Sequence, residues 1–303
     1  ISRLQTQNPH GVIRHRLRQR HAIIHRKRLR NIKPWNHHAC IIERMSAPLI
    51  SDTALWSGCA QMLATLLREI AQREVLPRWQ SVRVDAKPDG SLLSEADTAV
   101  QQALQEALTN IYPAPLLGEE SPIEEQYGLW QAPDRANATL WIADPIDGTT
   151  NFVSGLPWYG ISVALVHQGH TVVGVTYAPA LDSLWHASLG GGAFLNNQRL
   201  ALGNSPRTLR SCLIGVDMTY LPTRLRQTIA NCSPSGLCRD HDQAAPWRGW
   251  RSLGASTLEW CALASGQIQA YVHGGQMPWD AAAGRLILSE AGGQSATLDE
   301  VAL

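Results

Sequence analysis

Nowhere do about 18 uncharged apolar residues run together, as a membrane-crossing helix would need, and no two cysteines are spaced as CxxC. The first absence argues against an integral membrane protein. The second argues against a zinc clip or a dithiol redox centre. The six cysteines (Cys40, Cys59, Cys212, Cys232, Cys238, Cys261) are scattered, and a chain of 303 residues can bury a core without disulfide staples. A reduced, cytoplasmic protein is the expectation. The N-terminus lacks the apolar core and small-residue cleavage site of a signal peptide, so export is not expected. There is no GxSxG elbow, no Walker A loop and no GxGxxG after a strand, which removes three common routes to catalysis or nucleotide binding. No internal repeat is visible.

Charge is low overall but unevenly placed. Residues 1–44 carry 11 Lys/Arg and one acid, a net of +10, so the rest of a chain of net +1 must carry −9. Apolar residues in this segment are too sparse to form a face worth burying. Two readings stand: a basic arm that meets nucleic acid or a membrane surface, or upstream sequence ahead of a natural start at Met45. His37, His38 and Cys40 form one cluster without spaced partners and read as solvated.

Beyond Met45 the composition becomes that of a globular α/β protein. Leu55, Cys59, Met62, Leu63, Leu66, Leu67 and Ile70 follow the helical period, in a helix expected to reach about Trp79. A second helix runs through Ala96, Val100, Ala103, Leu104, Ala107 and Leu108, with Ser94 and Asp97 resembling a capping pair at its start. Strands are expected at Thr139–Ala143, Tyr159–Val166, Thr171–Tyr177 and Ser183–Ala187, with a hairpin at HQGH and a tight turn at GGGAF. Further elements are a strand at Cys212–Val216, a helix near Ser256–Ala264, a strand at Ile268–Val272 and a helix from Asp280 to about Ala291. Mixed helix and sheet layers follow. The expected domains are 45–195 and 196–303, the second curtailed at its end.

The most informative segment is TLWIADPIDGTTNF, an apolar strand running into two carboxylates three residues apart. Pro145 restrains Asp144 to an extended conformation, so Asp144, Asp147 and the Ile146 carbonyl can converge on a hard cation such as magnesium. The amides of Gly148, Thr149 and Thr150 can open a helix and favour a phosphate. The bland alternative is a turn made of the usual turn formers.

DPIDGTTNF resembles the central signature of the inositol monophosphatase family. LLGEES (Leu116–Ser121) resembles its glutamate loop, PWDAAAG (Pro278–Gly284) its downstream aspartate motif, and KPDGSLLSEAD its mobile N-terminal loop. The resemblance covers roughly residues 51–293 and implies a sugar-phosphatase-like fold of alternating helix and sheet layers. It implies Mg2+-dependent, lithium-sensitive hydrolysis of a small phosphate monoester, in a homodimer. Carried over, Glu119, Asp144 and the Ile146 carbonyl hold a first Mg2+, Asp144, Asp147 and Asp280 a second, and Glu119 helps place a third. Thr149, with Asp97 as its partner, orients the attacking water. Gly148 and Thr149 meet the phosphate, and Gly254, Ala255 and Ser256 the alcohol portion.

Alternatives stay open at three positions. Asp280 could simply cap its helix, as could Ser256. Where true inositol phosphatases place a glutamate seven residues before the aspartate, this chain has His273, either a substrate contact toward the leaving group or a surface residue at a strand end. Rival substrates are histidinol phosphate and 3′(2′),5′-bisphosphate nucleotides, although Thr150-Asn151-Phe152 looks more like the inositol branch. A fragmentary member acting as a binding protein, with nucleic acid held through the arm, is the rival of another class. Because the arm lacks a face with which to join a core, deletion of residues 1–44 is expected to leave the melting temperature and the rate of phosphate release unchanged; a fall of several degrees would move the boundary.

Overall fold

The computed structural model describes residues 52–80, 84–86, 92–131, 138–203, 208–231 and 247–296. The arm, Met45, residues 87–91 of the N-terminal loop, and Cys40, Cys232 and Cys238 lie outside the described residues. Helix α1 (Thr53–Ile70) passes into a π-helical turn, Ala71–Val75, so the expected single helix changes pitch before Trp79. The short pair β1 (Val84–Ala86) and β2 (Leu92–Ser94) leads into α2 (Glu95–Ile111), whose start is a true capping box of Ser94 and Asp97. Then come β3 (Leu116–Gly118), α3 (Ile123–Trp130), β4 (Thr139–Asp147) and the single turn α4 (Thr149–Val153).

Strands β5 (Gly160–His167), β6 (His170–Ala178), β7 (Ser183–Ser188), β8 (Gly192–Leu195) and β9 (Gln198–Arg199) continue as a meander. The β5–β6 hairpin closes with Gln168 and Gly169 both at positive φ, 50° and 78°, which suits the right-handed twist of the flanking strands. GGGAF divides: Gly190 turns and Gly192 already opens β8. The last elements are β10 (Leu213–Val216), α5 (Thr223–Asn231), β11 (Gly249–Arg251), α6 (Ser256–Ala264), β12 (Ala270–Val272) and α7 (Pro278–Glu290).

Strands β3 to β9 form one sheet in sequence order, with β3 and β4 parallel and the rest antiparallel. On one face Trp141, Ala143, Val163, Leu165, Val173 and Val175 pack with α1 and α2. On the other, Trp185 and Ala187 pack with α6 and α7, while Leu140 and Ile142 meet Trp279. With both faces covered, the central strands read as nearly unbroken apolar runs. A second, parallel sheet has the order β11-β10-β12. The alternating helix and sheet layers of the expected fold class are therefore present.

Gly284 of α7 marks the tightest part of this layering, because a Cβ there would stand 2.3 Å from the Cβ of Trp260 on α6. Gly284→Ala must push the two helices apart and is expected to lower stability by about 1–3 kcal/mol. Gly58→Ala, in α1 with no atom near the added methyl, should instead raise it by up to about 1 kcal/mol through helix propensity. Urea unfolding midpoints check the opposite signs.

Candidate active site

The site begins with a bulge. Along β4 side chains alternate, so Trp141 and Ala143 face α1 and α2 while Leu140, Ile142 and then Asp144 face α7. In a regular strand Asp147 would point the other way. Between Asp144, opposite Ser162, and Asp147, opposite Gly160, three steps on β4 answer two on β5. The extra residue turns Asp147 back toward Asp144. Ile146 keeps its side chain in the core on the α1–α2 side, and its carbonyl accepts from Thr149 Oγ1 at 3.1 Å.

Two other elements bring carboxylates to this strand end. Glu119 follows β3, and its N–H donates to the Ala143 carbonyl at 3.1 Å, which seats it beside Asp144. Buried Gln126 of α3 secures that loop from behind, its amide nitrogen 2.8 Å from the Glu119 carbonyl and 3.0 Å from that of Ser121. Asp280 is the third residue of α7 and accepts from the Met277 N–H at 2.7 Å. It is not the N-cap that one reading expected, since Met277 holds that position; from the third position of α7 its carboxylate bonds back to the N-cap N–H while standing in the acid cluster.

Burial, then the charges of Glu119, Asp147, Asp280 and Asp97, holds Asp144 well above the usual carboxylate pKa. Asp280 is raised in the same way, first by burial and next by Asp147. Burial also pushes Asp147 up to about 6, against the opposing pull of Thr257, whose N–H (2.7 Å) and Oγ1 (2.6 Å) both donate to its Oδ2. The buried Asp144 Oδ1 has no hydrogen-bond partner. Among the described residues no group of three or more His, Cys, Asp or Glu side chains forms a ready-made metal cage. Magnesium does not need one, since it binds through one or two carboxylates and completes its shell with water and phosphate oxygens. The donors present, all oxygen, fit such a hard cation.

Gly148 adopts φ 83° between β4 and α4, and a Cβ there would meet Ala255 and the Trp158 carbonyl, each at 3.0 Å. Since α4 is one turn long, its dipole adds little and any phosphate would rely on individual amides. The Thr149 hydroxyl donates to Ile146, and the Asp97 carboxylate accepts from the Ser94 backbone N–H at 2.8 Å as well as from its side chain.

The Gly254–Ser256 segment lies against this turn, pinned by Asn151 of the DPIDGTTNF segment and by Glu259, which carried no sequence signal. Asn151 Nδ2 donates to the carbonyls of Leu253 and Trp158, both at 2.8 Å, and the Leu253 N–H donates to buried Glu259 at 2.9 Å. Ser256 is not the cap of α6: Ala255 holds that position, and Ser256 Oγ lies 3.0 Å from the Tyr271 hydroxyl and accepts from Gln276. His273 follows the last residue of β12 as expected, but its ring turns inward. It stacks on Tyr220 (5.0 Å between centroids), its Nδ1 accepts from the Gly275 N–H at 3.1 Å, and its Nε2 lies 3.6 Å from Asp217. Burial lowers its pKa, opposed by Asp217.

The family that the chain matches makes this layered fold that of a phosphoric monoester hydrolase. A model of the inositol monophosphatase family matches residues 55–301, and the chain belongs to that family. It is 35% identical over 212 residues to inositol monophosphatase 2 of Saccharomyces cerevisiae, covering 69% of this chain and 70% of the relative. It is 32% identical over 216 residues to Nus factor SuhB of Pasteurella multocida, covering 71% and 75%. Among solved structures it resembles the Thermotoga maritima IMPase, with TM-score 0.62 and 28% identity over 77% of this chain and 82% of that one. It also resembles an IMPase/NADP phosphatase complexed with Mg2+ and phosphate, with TM-score 0.63 and 25% identity over 78% and 82%.

Glu259 supplies a stability test. Burial pushes its pKa up to about 7, with the Leu253 N–H and the Tyr271 hydroxyl opposing and the charges of Asp147 and Asp217 adding to the rise. A folded-state pKa above the unfolded one means that the folded protein holds the proton more tightly. Its contribution is therefore greatest at low pH and is lost as pH rises through about 7. Glu259→Gln cannot ionise, so its melting temperature relative to wild type should climb between pH 5 and pH 8; a pH-independent difference would contradict the assignment.

Proposed function

We propose that this protein hydrolyses a small phosphate monoester of the inositol monophosphate kind, using Mg2+ and an activated water. The observation that carries the reading is the β4 bulge, which turns Asp144 and Asp147 to one side against Asp280 and Glu119, with Asp144 Oδ1 left unpartnered in a buried place. Burying like charges together is costly unless a cation joins them.

Glu119, Asp144 and the Ile146 carbonyl would hold one ion, Asp144, Asp147 and Asp280 a second, and Glu119 a more weakly held third. Bound magnesium supplies neutralisation of the monoester's charge and a water of lowered pKa. Thr149 would orient that water, with Asp97 as its expected partner, once its hydroxyl turns from the Ile146 carbonyl to which it donates, and Gly148, left-handed at the turn, lets the backbone approach the phosphate. Gly254, Ala255 and Ser256 face the alcohol portion mainly through their backbone, since the Ser256 hydroxyl is already engaged. His273 acts there only if its ring leaves the pocket of Tyr220 and Asp217. Lithium sensitivity, a homodimer and a cytoplasmic location complete the reading. Among the described residues no helix is long and apolar enough to cross a membrane.

The test is phosphate release from inositol, sugar, histidinol and nucleotide monophosphates, with and without magnesium. Activity should require Mg2+ and fall with lithium, and full turnover in excess chelator would remove the metal from the scheme. Asp147→Asn keeps an acceptor for Thr257 but not the charge, and should cost on the order of 10²-fold or more in kcat/KM with the fold intact. Wild-type rates in that variant would reduce Asp147 to a turn former.

A further inference from the structure

The strand end that carries Asp147 and the Leu253–Thr257 segment that faces it belong to different elements, β4 and the approach to α6. Leu253 is held from both sides. Its carbonyl accepts from Asn151 in α4, and its N–H donates to Glu259 in α6, one turn beyond the segment it steadies. Asn151 also takes the Trp158 carbonyl, so a single amide ties the residues after β4, the entry to β5 and the Leu253 peptide. Directly after this pinned peptide the chain turns through Gly254 at φ 76°, and Thr257 then delivers both of its donors to Asp147.

Glu259 is 2% exposed, which is costly for a carboxyl group unless hydrogen bonds compensate it. A second set of bonds explains its retention. The Tyr271 hydroxyl bonds to Glu259 and to Ser256 Oγ, and Gln276 donates to that same Ser256 oxygen. Gln276, Ser256, Tyr271, Glu259 and Leu253 thus form one connected, partly buried network with Glu259 at its buried centre. Such a network fixes geometry only when all of its members are satisfied.

We infer that Glu259 and Asn151 are positioning residues that clamp the Leu253 peptide from opposite sides, setting the Gly254–Thr257 segment against Asp147 and thereby fixing the orientation of that carboxylate for ion and substrate. The inference rests on the proposed phosphatase reading for its kinetic consequence, but the clamp itself is a property of the folded chain. Glutamine can replace Glu259, because its carbonyl oxygen accepts from Leu253 and its amide can serve Tyr271 with the direction of that hydrogen bond reversed. Leucine, of similar size, can do neither.

Hydrogen exchange in the metal-free protein reads the clamp directly. In Glu259→Leu, amides across residues 253–257 should exchange on the order of 10-fold faster, as expected for loss of about one hydrogen bond, whereas Glu259→Gln should stay close to wild type. With magnesium and the best substrate of the panel, Glu259→Leu should raise KM and the magnesium concentration for half-maximal rate more than it lowers kcat, and Glu259→Gln should restore both. Unchanged exchange in Glu259→Leu, or equal impairment of the leucine and glutamine variants, would overturn the inference. Should the leucine variant not fold, Asn151→Ala opens the other side of the clamp and must speed the same amides; protection equal to wild type there would overturn it too. If the wild-type protein releases no phosphate from any substrate, the functional reading fails, and the exchange data still decide whether the clamp exists.

Discussion

The structure depends on a one-residue irregularity in a central strand. A β-strand offers only two directions to its side chains, and β4 uses both for core: Trp141 and Ala143 toward α1 and α2, Leu140 and Ile142 toward Trp279. Two aspartates three apart on such a strand belong to opposite faces. The bulge between Asp144 and Asp147 cancels that alternation and brings both to the side on which α7 begins. Other contributors then arrive by short routes: Glu119 through its bond to the Ala143 carbonyl, Asp280 at the first turn of α7. Were β4 regular, Asp147 would face the core that Ile146 occupies, beyond reach of Thr257.

What the bulge gathers, electrostatics would scatter. Burial and mutual repulsion raise the pKa of Asp144, Asp147 and Asp280, and the fold opposes this with a few well-placed donors: Thr257 on Asp147 and Met277 on Asp280. Each donor occupies an oxygen, so the arrangement is a compromise between holding the carboxylates still and leaving them oxygens with which to bind. Asp144, with Oδ1 unsatisfied, stands at the open end of that compromise. The layered packing around it, down to Gly284 against Trp260, provides the rigidity that lets a strained cluster persist.

Much of this was legible in the sequence, for reasons that can be named. Apolar periodicity exposed α1, α2 and the β5–β6 hairpin, and the DPIDGTT, LLGEES and PWDAAAG segments placed the acids on three separate element ends. Even the bulge had a sign, because a proline inside a central strand belongs at an irregularity, and Pro145 sits between the two aspartates. The π-turn after Ile70 left no sign, since its apolar spacing equals that of an ordinary helix. Gln126, Glu259 and Asp217 were equally silent. Each acts across space, and a lone Glu in STLEWCALA reads as one more surface charge until the helix is seen to be buried almost all round.

His273 shows how a departure from a family pattern can change meaning once packing is known. As a spacing argument, it stood where a glutamate would meet the substrate alcohol, and a histidine there was either a substrate contact or a surface residue. In the fold its two nitrogens already serve Gly275 and Asp217, with Tyr220 covering one face. Asp217 in turn lies near enough to Asp280 and Glu259 to raise both. The ring therefore acts first on the protein: buried, with its pKa lowered, it fills the space between Tyr220 and Asp217 beside an already crowded set of acids. With the Ser256 hydroxyl also engaged, discrimination among alcohols would, on the proposed reading, fall to the shape of the Gly254–Ser256 backbone, next to which Asn151 and Glu259 hold Leu253.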